Sequence, residues 1–161
     1  QELKLKGIDF KKINRGGDIT FHGLGQIVGY PILDLDNFFT DIGLYLRTLE
    51  EVIISTIGFF GIKGFRIDGE TGVWVKDESN SLKKICAFGI KASRWVTMHG
   101  FALNVNTDLT YFDNIVPCGI SDKGVTSLQE ILNQKIEPKA VKEKLYENFA
   151  RLFNAELSMT N

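Results

Sequence analysis

Lys83-Lys84-Ile85-Cys86-Ala87-Phe88-Gly89-Ile90 sets two ammonium side chains in front of an uncharged run too short for a helix. The polar run Asp77-Glu78-Ser79-Asn80-Ser81 before it has the composition of a tight connection, so a strand is predicted over 84–90. Period-two alternation puts Lys84, Cys86 and Phe88 on one face and Ile85, Ala87 and Gly89 on the other. Gly72 to Val75 and Val96 to Val105 read as neighbouring strands, and the middle of the chain is therefore sheet.

Helices flank that sheet. Ile42, Leu46, Leu49, Ile53 and Ile57 recur at helical spacing after Thr40 or Asp41 as cap, with Gly58 or Gly61 as the stop. Pro138 suits the first turn of a closing helix in which Val141, Leu145, Phe149 and Leu152 form the buried stripe. A shorter helix is predicted over Ser127 to Leu132. Towards the N-terminus, Ile8 to Ile13, Ile19 to Phe21 and Ile27 to Leu35 read as strands. Two glycine-rich turns lie between them, Arg15-Gly16-Gly17-Asp18 and His22-Gly23-Leu24-Gly25-Gln26, where the backbone approaches a ligand closely. Strands and helices segregate rather than alternate strictly, so the fold class is α+β or mixed-sheet α/β in one domain over residues 1–161.

The bulk numbers exclude several function classes. The 161 residues hold 19 basic and 20 acidic side chains, a balance without the basic field that nucleic-acid binding requires. No apolar run approaches the roughly 20 residues of a membrane-spanning helix. Two cysteines far apart in sequence, Cys86 and Cys118, make neither a disulfide framework nor a paired-cysteine metal site, and free thiols point to a reducing, cytoplasmic compartment.

Few residues remain that carry chemistry. His22 and His99 each precede glycine; turn capping accounts for such a pair, and no ligand cluster at metal spacing surrounds either one. Cys118, in Val116-Pro117-Cys118-Gly119, sits where a loop exposes a thiol, while Cys86 lies on the strand with Lys84. Either thiol could approach Lys84. Lys83-Lys84 is itself either a solvated pair guarding a sheet edge or the source of one functional ammonium carried into a cleft. Arg15 is an anion-binding candidate.

The block from Arg15 to Gln26, with Val28 and Tyr30-Pro31, closely resembles the signature of the lipoyl(octanoyl) transferases, the family that moves octanoyl from a carrier protein to protein lysines. The resemblance extends through Gly72-Val73-Trp74-Val75, Lys83 to Ile90, Thr97 to Val105, Ile115 to Ile120 and Val125 to Leu128. It implies a biotin/lipoyl protein ligase-like mixed sheet flanked by helices, and a thioester intermediate on the cysteine of the Pro-Cys-Gly block, here Cys118, paired with Lys84. Substrate-binding positions carry over onto Arg15, Gly16, Gly17, Asp18, Ile19, Thr20, Phe21 and His22, onto Ala87, Phe88 and Gly89, and onto Gly100, Phe101 and Ala102, with His99 as a further candidate. The implied donor is octanoyl acyl carrier protein. The implied acceptors are lipoyl domains of 2-oxoacid dehydrogenase complexes or the glycine cleavage H protein; no cofactor and no metal are implied. Leu24 stands where the family has proline, and only 14 residues precede Arg15 where the family carries a longer N-terminal segment. The alternatives are an ATP-dependent lipoate or biotin protein ligase of the same fold, or a non-catalytic module that binds lipoyl domains.

Overall fold

A computed structural model describes residues 9–11, 13, 14, 16, 19–115 and 123–158. Its sheet has five strands, β1 (Gln26–Gly29), β2 (Val73–Lys76), β3 (Leu82–Ser93), β4 (Val96–Asn104) and β5 (Gly124–Val125). The order is β1-β4-β3-β2, with antiparallel neighbours throughout; β5 alone pairs in parallel, on β3. Among the described residues three α-helices complete it, α1 (Ile42–Phe59), α2 (Leu128–Leu132) and α3 (Pro138–Phe153). No helix among the described residues is long and apolar enough to cross a membrane.

The helices begin where side chains satisfy their first amide groups. Asp41 accepts from Leu44 N at 2.9 Å and Ser127 from Glu130 N at 3.1 Å, while Pro138 starts α3 behind the Glu137 cap. The apolar stripes of α1 and α3 then pack on one face of the sheet. Leu49, Ile53 and Ile57 join Val141, Leu145, Ile85, Cys86 and Leu103 in a continuous core.

β3 is the central strand, and it changes partner along one edge. Cys86 to Ser93 pair with β4, but Lys83 and Lys84 pair with β5, which takes over the edge that β4 leaves. On the other edge Val73 opposes Cys86 while Trp74 opposes Lys84, so Ile85 is an extra residue, a β-bulge. The bulge overturns the alternation expected from sequence. Ile85 and Cys86 are both buried in the helix-side core, and Lys84 shares the opposite face with Ala87 and Gly89.

Other expectations also need correcting. No strand forms among the described residues of 8–13; Asp9, Phe10 and Lys11 are exposed, and Ile13, half exposed, borders a cavity rather than joining a ladder. Ile19 to Phe21 join no ladder, because Ile19 and Thr20 turn towards a cavity and Phe21 stacks on Tyr111, ring centroids 4.9 Å apart. β1 stops at Gly29 rather than running to Leu35: Pro31 lacks the N–H a ladder needs, and Asp34 caps a 3₁₀ turn over Leu35–Asn37. β3 runs past Ile90 to Ser93, closing on β4 through Arg94 and Trp95 at φ 49° and 62°, the left-handed pair a two-residue hairpin requires.

One buried carboxylate ties the helix layer to the loop beyond β2's start. Glu50 of α1 is fully buried; it accepts from Gly72 N at 3.0 Å, Arg66 Nε at 3.1 Å and Arg47 Nη1 at 2.6 Å. A charge removed from water in this way is tolerated because each oxygen is hydrogen-bonded. Glu50→Ala strands the Gly72 N–H and takes from Arg47 and Arg66 the buried carboxylate they share, and a loss of about 2–4 kcal/mol in urea unfolding is expected. A loss below about 1 kcal/mol would contradict this role for the residue.

Candidate active site

The face of the sheet away from the helices is hollow for a simple reason. In register, Ala87 opposes Ala102 and Gly89 opposes Gly100, so four adjacent positions on the two central strands carry at most a methyl group. A cavity of about 350 Å³ lies over them, at the small end of the usual range for ligand sites. Gly100 is obligatory there: a Cβ would fall 2.0 Å from the Gly29 carbonyl oxygen of β1. Phe88 and Phe101 border the cavity on the floor side, and Ile13, Ile19, Phe112 and Ile115 wall it.

At one end the lining turns polar and cationic. Trp74 opposes Lys84 across the β2–β3 pair, and the Lys84 Nζ lies 4.6 Å from the indole centroid. The indole also carries Lys123, whose Nζ stands 5.4 Å from the same ring and is ion-paired with Glu70. Glu70 lines the cavity, and its second carboxylate oxygen is buried without a hydrogen-bond partner among the described residues. Lys83 turns the other way, 3.8 Å from Asp77. Of the two neighbouring lysines, Lys84 is thus the one carried into the cleft.

Along another wall runs a chain of side-chain hydrogen bonds. His22 Nδ1 lies 3.3 Å from Gln26 Oε1, Gln26 Nε2 donates to the Phe21 carbonyl at 3.0 Å and to Asn104 Oδ1 at 2.9 Å, and Asn104 Nδ2 donates to the Thr126 carbonyl at 3.0 Å. Thr126 N in turn donates to the Lys84 carbonyl at 3.0 Å. Gly25, at φ 84°, makes the turn before Gln26, its carbonyl accepting from Asn106 N; a Cβ there would lie 2.3 Å from the Asn106 oxygen.

The residues singled out by sequence fall into groups. Lys84, Ile19, Thr20, His22, Ala87, Phe88, Gly89, Gly100, Phe101 and Ala102 all border the one cavity. His99 borders it too, held at φ 62° with its Nε2 3.2 Å from the Asn14 carbonyl. Phe21 does not border it, and Gly16 bonds through its amide to the Ile90 carbonyl at 3.2 Å. Arg15, Gly17, Asp18 and Cys118 lie outside the described residues. The chain on both sides of residues 116–122 nevertheless reaches the cavity, at Ile115 before and at Val125 after. Cys86, the other thiol, is fully buried on the helix side, and burial pushes it well above the ordinary thiol range. It has no route to the cleft.

Sequence reading missed Glu70, Lys123, Gln26 and Asn104. An acid between two glycines, in Gly69-Glu70-Thr71-Gly72, carried a signal; Lys123 carried none, since its partner lies 53 positions away.

Residues 1–150 match the model of the lipoyl protein ligase A/B catalytic domain. The chain belongs to that family. Within the family, the octanoyltransferase of Christiangramia forsetii is 64% identical over 158 residues, 98% of this chain and 68% of that protein. The octanoyltransferase of Flavobacterium johnsoniae is 60% identical over the same shares of each, 98% and 68%. This chain thus spans about two thirds of the length of these relatives, and its kinship is with the transferase members of the family. The fold is shared more widely. A bipartite lipoate protein ligase from Thermoplasma acidophilum superposes with a TM-score of 0.76 at 18% identity, covering 98% of this chain and 63% of that one. The biotin protein ligase of Aquifex aeolicus, with biotin and ATP, gives 0.61 at 18% identity over 81% of this chain and 50% of its own. The biotin/lipoyl ligase-like sheet expected from sequence is therefore present.

Burial of Cys86 has a direct chemical consequence. In a Cys118→Ser variant the native protein is expected to resist iodoacetamide at neutral pH and to take up one label only after unfolding, as read by mass. Rapid labelling of the folded variant would show that the Cys86 thiol has access to solvent.

Proposed function

We propose that this chain, acting as a single catalytic domain over residues 1–161, transfers an octanoyl group from an acyl carrier protein to a lysine of a lipoyl domain. The acceptor is a lipoyl domain of a 2-oxoacid dehydrogenase complex or the glycine cleavage H protein, and the reaction runs in the cytoplasm without a cofactor. The observation that carries this reading is the methyl-only floor of Ala87, Gly89, Gly100 and Ala102, an apolar slot with the Lys84 ammonium at one end. The octanoyltransferase relatives support it.

Cys118 is the acyl carrier in this mechanism. Lys84 takes the thiol proton; the thiolate attacks the carrier thioester, and the old carbon–sulfur bond breaks as Lys84 returns the proton to the departing thiolate. Exchange of one thioester for another is close to energetically neutral, so no nucleotide is consumed. The lysine amine of the acceptor then attacks the Cys118 thioester, the amide forms, and Lys84 takes a proton from the nitrogen as sulfur leaves. Tail burial supplies about 0.8 kcal/mol per methylene, which separates octanoyl from acetyl widely and from its chain-length neighbours only by degrees. Substrate contacts by Arg15, Gly16, Gly17, Asp18 and Phe21 belong to the same proposal and concern the carrier-facing side of the slot.

A ligase on this fold activates a free acid with ATP, and a binding module forms no adduct at all. Intact-protein mass spectrometry after mixing with octanoyl carrier protein, without ATP, separates the three. An octanoyl adduct lost in Cys118→Ser and kept in Cys86→Ser is expected; an adduct that needs ATP, or none, contradicts the transferase. The slot has its own test. Ala102→Leu fills the floor, so acyl donors of four carbons are expected to overtake octanoyl donors in kcat/KM, and an unchanged chain-length preference would place the tail elsewhere.

A further inference from the structure

Balancing the protons of the proposed transfer leaves one without an acceptor. An acceptor lysine arrives as an ammonium with three N–H bonds and leaves as an amide with one, so two protons depart. Lys84 takes one and ends as the ammonium beside the Cys118 thiolate. The other must leave the ammonium before it can attack; water can take it, and a base beside the slot takes it faster.

The hydrogen-bond chain beside the cavity supplies that base in a defined form. The Thr126 carbonyl can only accept, so the atom of Asn104 facing it is the amide nitrogen, and Oδ1 faces Gln26. The Phe21 carbonyl likewise can only accept, so Gln26 turns Nε2 towards it and spends its second N–H on Asn104 Oδ1. Both hydrogens of Gln26 are thereby used, and Oε1, an acceptor only, is what meets His22 Nδ1. His22 must donate there. In the neutral ring the proton is therefore held on Nδ1, Nε2 has no hydrogen-bond partner among the described residues, and the exposed ring borders the cavity.

We propose that His22 is a second catalytic base, held in its Nδ1–H tautomer by the Thr126-Asn104-Gln26 chain, and that Nε2 removes the first proton from the incoming lysine ammonium. The N–H bond of the ammonium breaks and the Nε2–H bond forms; the free amine attacks the thioester, and the imidazolium later releases its proton to water. Gln26 and Asn104 are positioning residues in this account, acting only through the tautomer. The inference rests on the transferase reading for its substrate, while the tautomer is a property of the folded chain alone.

The tautomer is read from the long-range ¹⁵N–¹H spectrum of the full chain, the two histidine spin systems being separated with His99→Gln. Neutral His22 is expected as Nδ1–H, and Gln26→Leu is expected to shift it towards Nε2–H with the remaining resonances still dispersed. Nε2–H in the unaltered protein, or no shift in Gln26→Leu, overturns the chain of reasoning. Catalysis is read in two half-reactions with His22→Gln, an exposed substitution. Octanoyl loss from the preformed adduct to a lipoyl domain is expected to slow at least about tenfold more than adduct formation slows. Equal slowing of both steps, or none, overturns the base role. If the unaltered chain forms no adduct at all, the transferase reading fails together with the base role, and the spectrum alone still decides the tautomer.

Discussion

Four adjacent positions on two neighbouring strands, carrying nothing larger than a methyl group on one face, are the constraint from which this molecule is built. Ala87 against Ala102 and Gly89 against Gly100 leave a floor that cannot pack, because packing needs side-chain atoms to meet. The cohesion a sheet ordinarily gains from two faces must come from one. On the helix side the same strands bury Cys86 and Leu103 completely beneath α1 and α3. The division of labour is sharp: adjacent residues of β3 and β4 alternate between holding the fold together and leaving the cavity open.

The bulge at Ile85 makes that division compatible with a cation in the site. Regular alternation would send Lys84 to the same side as Cys86, into an apolar core where an ammonium is costly. One extra residue turns it to the hollow face instead, against Trp74, where a π-face is available and the cavity is near. The same region is gripped from both layers. Glu50 holds the Gly72 amide from below, and the Thr126 amide bonds the Lys84 carbonyl where β5 replaces β4. A site lysine whose backbone is bonded in this way loses little entropy when it engages a substrate.

Elements governed by local rules were legible in the sequence. α1 behind Asp41, α2 behind Ser127 and α3 behind Glu137-Pro138 follow caps and apolar spacing that act within a few residues. What escaped is set by partners distant in sequence. Glu50 stands on the apolar stripe between Leu46 and Ile53, a visible anomaly, yet its bonds go to Arg66 and Gly72 beyond the helix. The face of Lys84 depended on a bulge that only the pairing with β2 reveals, and Arg94-Trp95 holds none of the residues that usually announce a left-handed hairpin turn. Of the site, family resemblance singled out the residues of the cavity floor before any cavity was visible. Periodicity alone left the thiols unresolved and set Lys84 on the face of Cys86, from which the bulge removes it.

All of this converges on where an acyl chain goes. The most direct measurement is a crystal structure of the chain carrying an octanoyl thioester, formed from the carrier protein and trapped without acceptor. The account predicts density running from Cys118 along the floor between Ala87 and Ala102, with the sulfur within hydrogen-bond reach of the Lys84 Nζ. An acyl chain lying on the helix side of the sheet, or a thioester sulfur remote from that ammonium, would contradict it.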